Sequence, residues 1–158
     1  MMSDLLVKLY DLPDSRETLD KLSRNGIEIK RAIAPEKHHI LNWVGEKFSG
    51  GWASECDAAF SNAPCSCFVA VKDHRIIGFA CYDATARGFF GPIGVDENLR
   101  KTGLGKGLLI RTLEAMREAG YGYAIVGWAG PADFFIKTVG ATVIEGSEPG
   151  VYKNLIKG

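Results

Sequence analysis

Gly94-Val95-Asp96-Glu97-Asn98-Leu99-Arg100-Lys101-Thr102-Gly103-Leu104-Gly105-Lys106-Gly107 joins two segments of different periodicity, and its reading decides the fold. Before it, Arg87 to Val95 reads as a strand. After it, Leu104, Leu108, Leu109, Leu113 and Met116 fall on one face of a helix, while Lys106, Arg111, Glu114, Arg117 and Glu118 point elsewhere. Gly120 supplies the stop. The connection is rich in glycine and cations just where the first N–H groups of the helix have no backbone partner. Such a helix start carries the positive end of the macrodipole, and backbone without side chains lets an anion come close.

Two familiar phosphate loops do not fit. A Walker loop needs glycine where Arg100 stands, and Ser or Thr where Gly107 stands. A dinucleotide fingerprint starting at Gly103 needs its third glycine at Leu108, and the loop from Val95 is too long for that tight turn. What fits is Arg-x-x-Gly-x-Gly at Arg100, Gly103 and Gly105, after a Gly/Val strand end and before Leu108. This resembles the pyrophosphate-binding motif of the GNAT superfamily of N-acetyltransferases. The resemblance runs from about Ile27 to Ile156.

The order of elements along the chain agrees with that family. Leu5 to Tyr10 reads as a strand and Asp14 to Arg24 as a helix capped by Asp14 or Ser15 and stopped at Asn25-Gly26. Ile27 to Ile33 alternates with period two, a strand. Pro35 opens a helix that runs to Phe48, with Ile40, Leu41, Val44 and Phe48 inward; Gly50-Gly51 breaks it, and Trp52 to Phe60 is a second helix. Cys67 to Lys72 and Arg75 to Asp83 are strands around an Asp73-His74 hairpin turn. The strand Arg87 to Val95 contains Gly91-Pro92; proline cannot donate to a ladder, so a bulge or an unpaired side is expected there. Tyr121 to Trp128 is a strand and Pro131 to Thr138 a short helix. Gly140 to Ile144 and Val151 to Ile156 are expected to close the sheet as a hairpin. From Ile27 on, the reading is β-α-α-β-β-β-α-β-α-β-β. The fold class is α/β (α+β), a mixed central sheet flanked by helices, in one domain of 158 residues. Residues 1–26 add a strand and a helix outside the family core, for edge-covering, acceptor-covering or a homodimer contact.

Composition narrows the function classes. Apolar residues make up 46% and charged residues 24%, with formal net charge zero. That balance argues against an electrostatic grip on nucleic acid or on anionic membrane. No apolar run reaches membrane-spanning length and Met1-Met2-Ser3-Asp4 is no signal peptide, so a cytoplasmic protein is expected. Cys56, Cys65, Cys67 and Cys81 lack metal-ligand spacing, and no metal is expected; Cys67 and Cys81 read as small core hydrophobes.

The resemblance implies that the Arg87–Val95 and Tyr121–Trp128 strands splay apart and take the pantetheine arm of acetyl-CoA between them. It places the diphosphate on the amides of Lys101, Thr102, Gly103, Leu104, Gly105 and Lys106, with charge from Arg100, Lys101 and Lys106. Ile93 and Val95 border the arm, and an N–H at or beside Val95 is the natural oxyanion donor. Trp128 and Phe135 complete the cofactor set. Phe135 stands where many members carry a tyrosine that protonates the leaving thiolate, which leaves Tyr82 or Tyr121 as alternative donors. Trp128-Ala129-Gly130 likewise replaces a common asparagine. An amine acceptor must lose a proton before it attacks, so a carboxylate base is needed. Asp83 is the first choice, Glu97 the second, and Glu55 and Asp57 the third. His38, His39 and His74 read as solvated helix and turn residues. The implied activity is transfer of an acetyl group to a primary amine of a small soluble acceptor by direct attack in a ternary complex. A non-catalytic acyl-CoA-binding module and a protein N-terminal or lysine acetyltransferase are the rival readings.

Overall fold

The computed structural model describes residues 2–158. Its strands are β1 (Leu5–Lys8), β2 (Glu28–Arg31), β3 (Cys67–Lys72), β4 (Arg75–Tyr82), β5 (Phe89–Val95), β6 (Tyr123–Val126) and β7 (Thr142–Val143). They form one seven-stranded sheet in the order β2-β3-β4-β5-β6-β1-β7, antiparallel except where β5 meets β6. The helices are α1 (Arg16–Arg24), α2 (Lys37–Lys47), α3 (Gly50–Phe60), α4 (Leu104–Glu118) and α5 (Ala132–Val139). None of them is long and apolar enough to cross a membrane, among the described residues.

Both faces of the central strands are covered, so their sequences are apolar almost without interruption. In β4, Ile77, Ala80 and Tyr82 join the core beneath α4, whereas Phe79 and Cys81 join the core beneath α2 and α3. Neighbouring Phe68 and Val69 divide the same way in β3. The helix α4 is the centre of the first core. Leu104, Leu108, Leu109, Leu113 and Met116 are all 0% exposed, as their spacing predicts, and Ile110 joins them. Burying each such side chain is worth about 1.5–3 kcal/mol. α1 lies against α4 at Gly107, where an added Cβ would stand 2.8 Å from Leu22 Cδ1 and 2.9 Å from Ile29 Cδ1. The second core is aromatic: the rings of Trp43, Phe48, Trp52 and Phe79 meet at centroid distances of 5.1 to 6.3 Å.

The hairpin turn and the bulge appear where expected. Asp73 and His74 have φ of 51° and 61°, the left-handed pair that a two-residue hairpin needs. Between the pairs Ala80↔Ile93 and Tyr82↔Phe90, β5 carries two residues, Gly91 and Pro92, against Cys81 alone.

The end of the chain differs from expectation. Val151 to Ile156 is not a strand: residues 150–152 form a single 3₁₀ turn, and β7 pairs with β1. Val151, Leu155 and Ile156 are 59%, 50% and 93% exposed, so they bury too little apolar surface to earn a place in the sheet. Leu5 and Val7, at 1% and 0%, bury it instead. The strand from residues 1–26 is therefore internal, between β6 and β7, rather than a cover for the sheet edge. At α1, Asp14 Oδ1 accepts the Arg16 N–H, while the Ser15 hydroxyl donates to Glu114.

Candidate active site

The parallel ladder between β5 and β6 has only two pairs, Phe89↔Ile125 and Phe90↔Val126. Past them the strands part. β5 continues through Ile93 and Val95, still paired with β4, while the chain after β6 turns away through Gly127 and Trp128, the latter with φ of 47°. The Asp96 N–H bonds to Ile77 O on the β4 side. Strand alternation therefore turns the N–H of Val95 to the other edge, into the gap, and that of Ile93 with it.

At the far end of this gap the loop from Asp96 to Gly103 leads into α4. Asp96 Oδ1 accepts the Asn98 N–H, the Thr102 hydroxyl donates to Leu99 O, and Lys101 and Gly103 take φ of 69° and 89°. In the first turn of α4 the Gly107 N–H reaches Gly103 O at 2.9 Å and the Leu104 N–H reaches Thr102 Oγ1 at 3.4 Å. The amides of Gly105 and Lys106 find no acceptor among the described residues. Arg100, Lys101 and Lys106 are exposed around them. Unpartnered amides, the helix dipole and three exposed cations make a receptor for a polyanion. The Leu104 side chain is wholly buried, so only its amide can take part. Gly105 is needed for approach rather than for backbone strain, since its Cβ would meet Phe134 at 3.6 Å, an ordinary contact.

The opposite end of the gap is built from side chains. Trp128 donates its N–H to Asp4 Oδ1 and stacks on Tyr152, with centroids 4.0 Å apart and planes at 26°. The Tyr152 hydroxyl stands over Gly127, 2.5 Å from where a Cβ would be, so only glycine fits there. The Thr85 hydroxyl donates to Glu55 Oε1. Burial pushes the half-buried Glu55 carboxyl above its usual range, and the Thr85 bond offsets only part of that. Burial, then the negative charges of Glu55 and Asp4, push the Tyr152 phenol above its ordinary value, while a hydrogen bond with Thr85 pulls the other way.

The other candidates lie elsewhere. Asp83, with φ of 52°, accepts the Gly88 N–H at 2.7 Å and the Tyr121 hydroxyl at 2.8 Å, so one oxygen closes the β4–β5 connection and the other ties it to the segment before β6. Tyr121 is thereby occupied as well; burial, followed by that bond, raises its pKa. The Tyr82 ring is buried on the α4 side and its hydroxyl accepts from Arg31 Nη1 at 3.0 Å. Glu97 is exposed within the loop that leads to α4, and Asp57 pairs with Lys37 at 2.6 Å. Phe135 is 4% exposed and packs edge-on against Phe90 and Phe134, which makes it a core residue; Phe134 is the one that lies beside Gly105. His38, His39 and His74 are exposed. Residue reading missed Tyr152, Thr85 and Asp4. Nothing local marks them, because their meaning comes from segments far apart in sequence.

Solved structures share this architecture. A GCN5-related glucosamine N-acetyltransferase region of a fungal multi-domain GH3 β-N-acetylglucosaminidase superposes with a TM-score of 0.73 at 15% identity, covering 90% of this chain and 20% of that one. A GCN5-related N-acetyltransferase from Sphaerobacter thermophilus gives 0.70 at 18% identity, covering 90% and 48%. One from Kribbella flavida gives 0.56 at 19%, covering 90% and 54%. The chain thus spans about half the length, or less, of these proteins. No curated protein matches its sequence. The acetyltransferase (GNAT) family matches residues 37–133, more than half of the chain and the whole run from α2 to the start of α5, and this protein belongs to that family.

Proposed function

We propose that the protein is an acetyl-CoA-dependent N-acetyltransferase acting on a small, cationic primary amine. The observation that carries this reading is the parting of β5 from β6 beside the unpartnered amides of Gly105 and Lys106. A diphosphate answers those amides and the cations Arg100, Lys101 and Lys106, and a pantetheine arm answers the free edge of Ile93 and Val95. When bound, acetyl-CoA supplies an acyl group activated as a thioester.

The chain's own residues do the rest. The Val95 N–H is a donor for a carbonyl oxygen in the gap. Glu55 is the base: half-buried, raised in pKa and bonded to a single hydroxyl, it is a stronger proton acceptor than an exposed carboxylate. Tyr152 is the proton donor that Phe135 cannot be, since its raised pKa keeps the phenol protonated at neutral pH. Asp4 and Glu55 add negative charge on the acceptor side, which favours a cationic amine over a neutral one.

Two measurements test the proposal: calorimetry with acetyl-CoA, and release of free CoA thiol with a panel of primary amines. Amine-dependent release is expected. Binding without release from any amine would leave an acyl-CoA-binding module, and absence of binding would remove the reading altogether.

A further inference from the structure

Cys67 and Cys81 are paired directly across β3 and β4, and both side chains enter the core beneath α3. Cys56 comes down from α3 onto them. All three are 0% exposed, their Sγ atoms lie within 4.8 Å of one another, and Cys56 Sγ to Cys81 Sγ is 3.6 Å. The sequence interval between them, eleven residues and then fourteen, resembles no metal motif; only the fold assembles the triangle.

We propose that Cys56, Cys67 and Cys81 form a buried trigonal site for one thiophilic d10 cation of the copper(I) class. A cation equidistant from three sulfurs at a metal–sulfur length of about 2.3 Å requires sulfurs about 4.0 Å apart. Cys56 Sγ and Cys81 Sγ are 3.6 Å apart and no separation exceeds 4.8 Å, so a cation in the plane of the triangle needs shifts of under about 1 Å and no cavity above or below. No His or carboxylate joins the group among the described residues. Cys65 is half-exposed on the other side of Arg31, which binds its carbonyl. Zinc favours a fourth ligand, whereas three soft sulfurs in a dry apolar shell suit copper(I).

Copper(I) binds thiolate sulfur, so its entry displaces the thiol protons to solvent. No electron is transferred, because the metal arrives as copper(I).

The test is independent of acetyl transfer. The reduced whole chain is titrated anaerobically with copper(I) against a chromophoric copper(I) chelator, and the retained metal is examined by X-ray absorption. One equivalent held by three sulfur neighbours is expected. Cys81→Ser should weaken retention by more than about 100-fold, the upper end of what losing even an outer-shell partner costs, while Cys65→Ser leaves it unchanged. Complete stripping by the chelator overturns the proposal. So does a sulfur count other than three, or equal losses in Cys65→Ser and Cys81→Ser. If Cys81→Ser does not fold, the sulfur count on the unsubstituted chain decides.

Discussion

At the α4 end of the gap the groups that face a ligand are backbone amides and exposed cations from one unbroken stretch, Arg100 to Lys106, whereas at the Trp128 end they are side chains from Asp4, Glu55, Thr85 and Tyr152, brought from four distant segments. The first end depends on a loop conformation that glycine and a helix start produce locally. The second depends on α3, the β4–β5 connection, β1 and the C-terminal turn all arriving together. A local device suits a ligand common to many proteins, and an assembled one suits a substrate particular to this chain. The two ends should therefore respond to substitution in separable ways.

The largest effect is expected from Gly105→Glu. A carboxylate about 4 Å from a bound phosphate costs about 4 kcal/mol at an effective dielectric of 20, roughly a 1,000-fold loss of acetyl-CoA affinity by calorimetry. The helix itself should persist, because an acidic residue in its first turn suits the dipole. A variant that binds normally would break the assignment of the α4 end.

Next comes Glu55→Gln, for which turnover should fall about 100-fold with acetyl-CoA affinity unchanged. The direction of the Glu55 shift fixes the pH dependence. Activity of the unsubstituted chain rises with pH through a Glu55 pKa that burial has raised, so its acid limb lies above the usual carboxylate range. The limb should vanish in Glu55→Gln; a limb that survives there belongs to another group.

Tyr152→Phe keeps the stack on Trp128 and removes only the hydroxyl, and turnover should drop by about 10- to 100-fold with binding intact. Equal loss in binding would show that the ring, not the proton, matters. The smallest effect is expected from Asp83→Asn. Its two hydrogen bonds hold the β4–β5 connection, so about 1–2 kcal/mol of stability should be lost in a denaturant titration. Turnover of the folded variant should change far less than in Glu55→Gln; a comparable fall would return the base to Asp83.

The same contrast explains what could be read from residues alone. Gly103, Gly105 and the cations around them announce their chemistry because it resides in the backbone of one loop. Gly91-Pro92 announces a bulge because proline removes a ladder bond wherever it sits. The helix α4 was legible from the spacing of its five apolar residues. By contrast, Leu5 to Lys8 and Val151 to Ile156 look equally strand-like, and only competition for the free edge of β6 decides between them. Leu5 and Val7 can both be buried there, and the C-terminal residues then stay exposed. Tyr152 acquires its position from that outcome, in a turn whose neighbours are Gly127 and Trp128, so no local pattern could have singled it out. Cys56 is hidden for the same reason.

The segment before the first strand also ties to distant parts of the chain: Asp4 accepts the N–H of Trp128, donates its own N–H to the Ser147 hydroxyl, and lies against Gly150. A clone trimmed to residues 37–133, the span the family matches, would thus lose an internal strand of the sheet and one wall of the proposed acceptor site together. Its silence in an assay would report a missing wall rather than an inert enzyme, so expression work should keep residues 2–8.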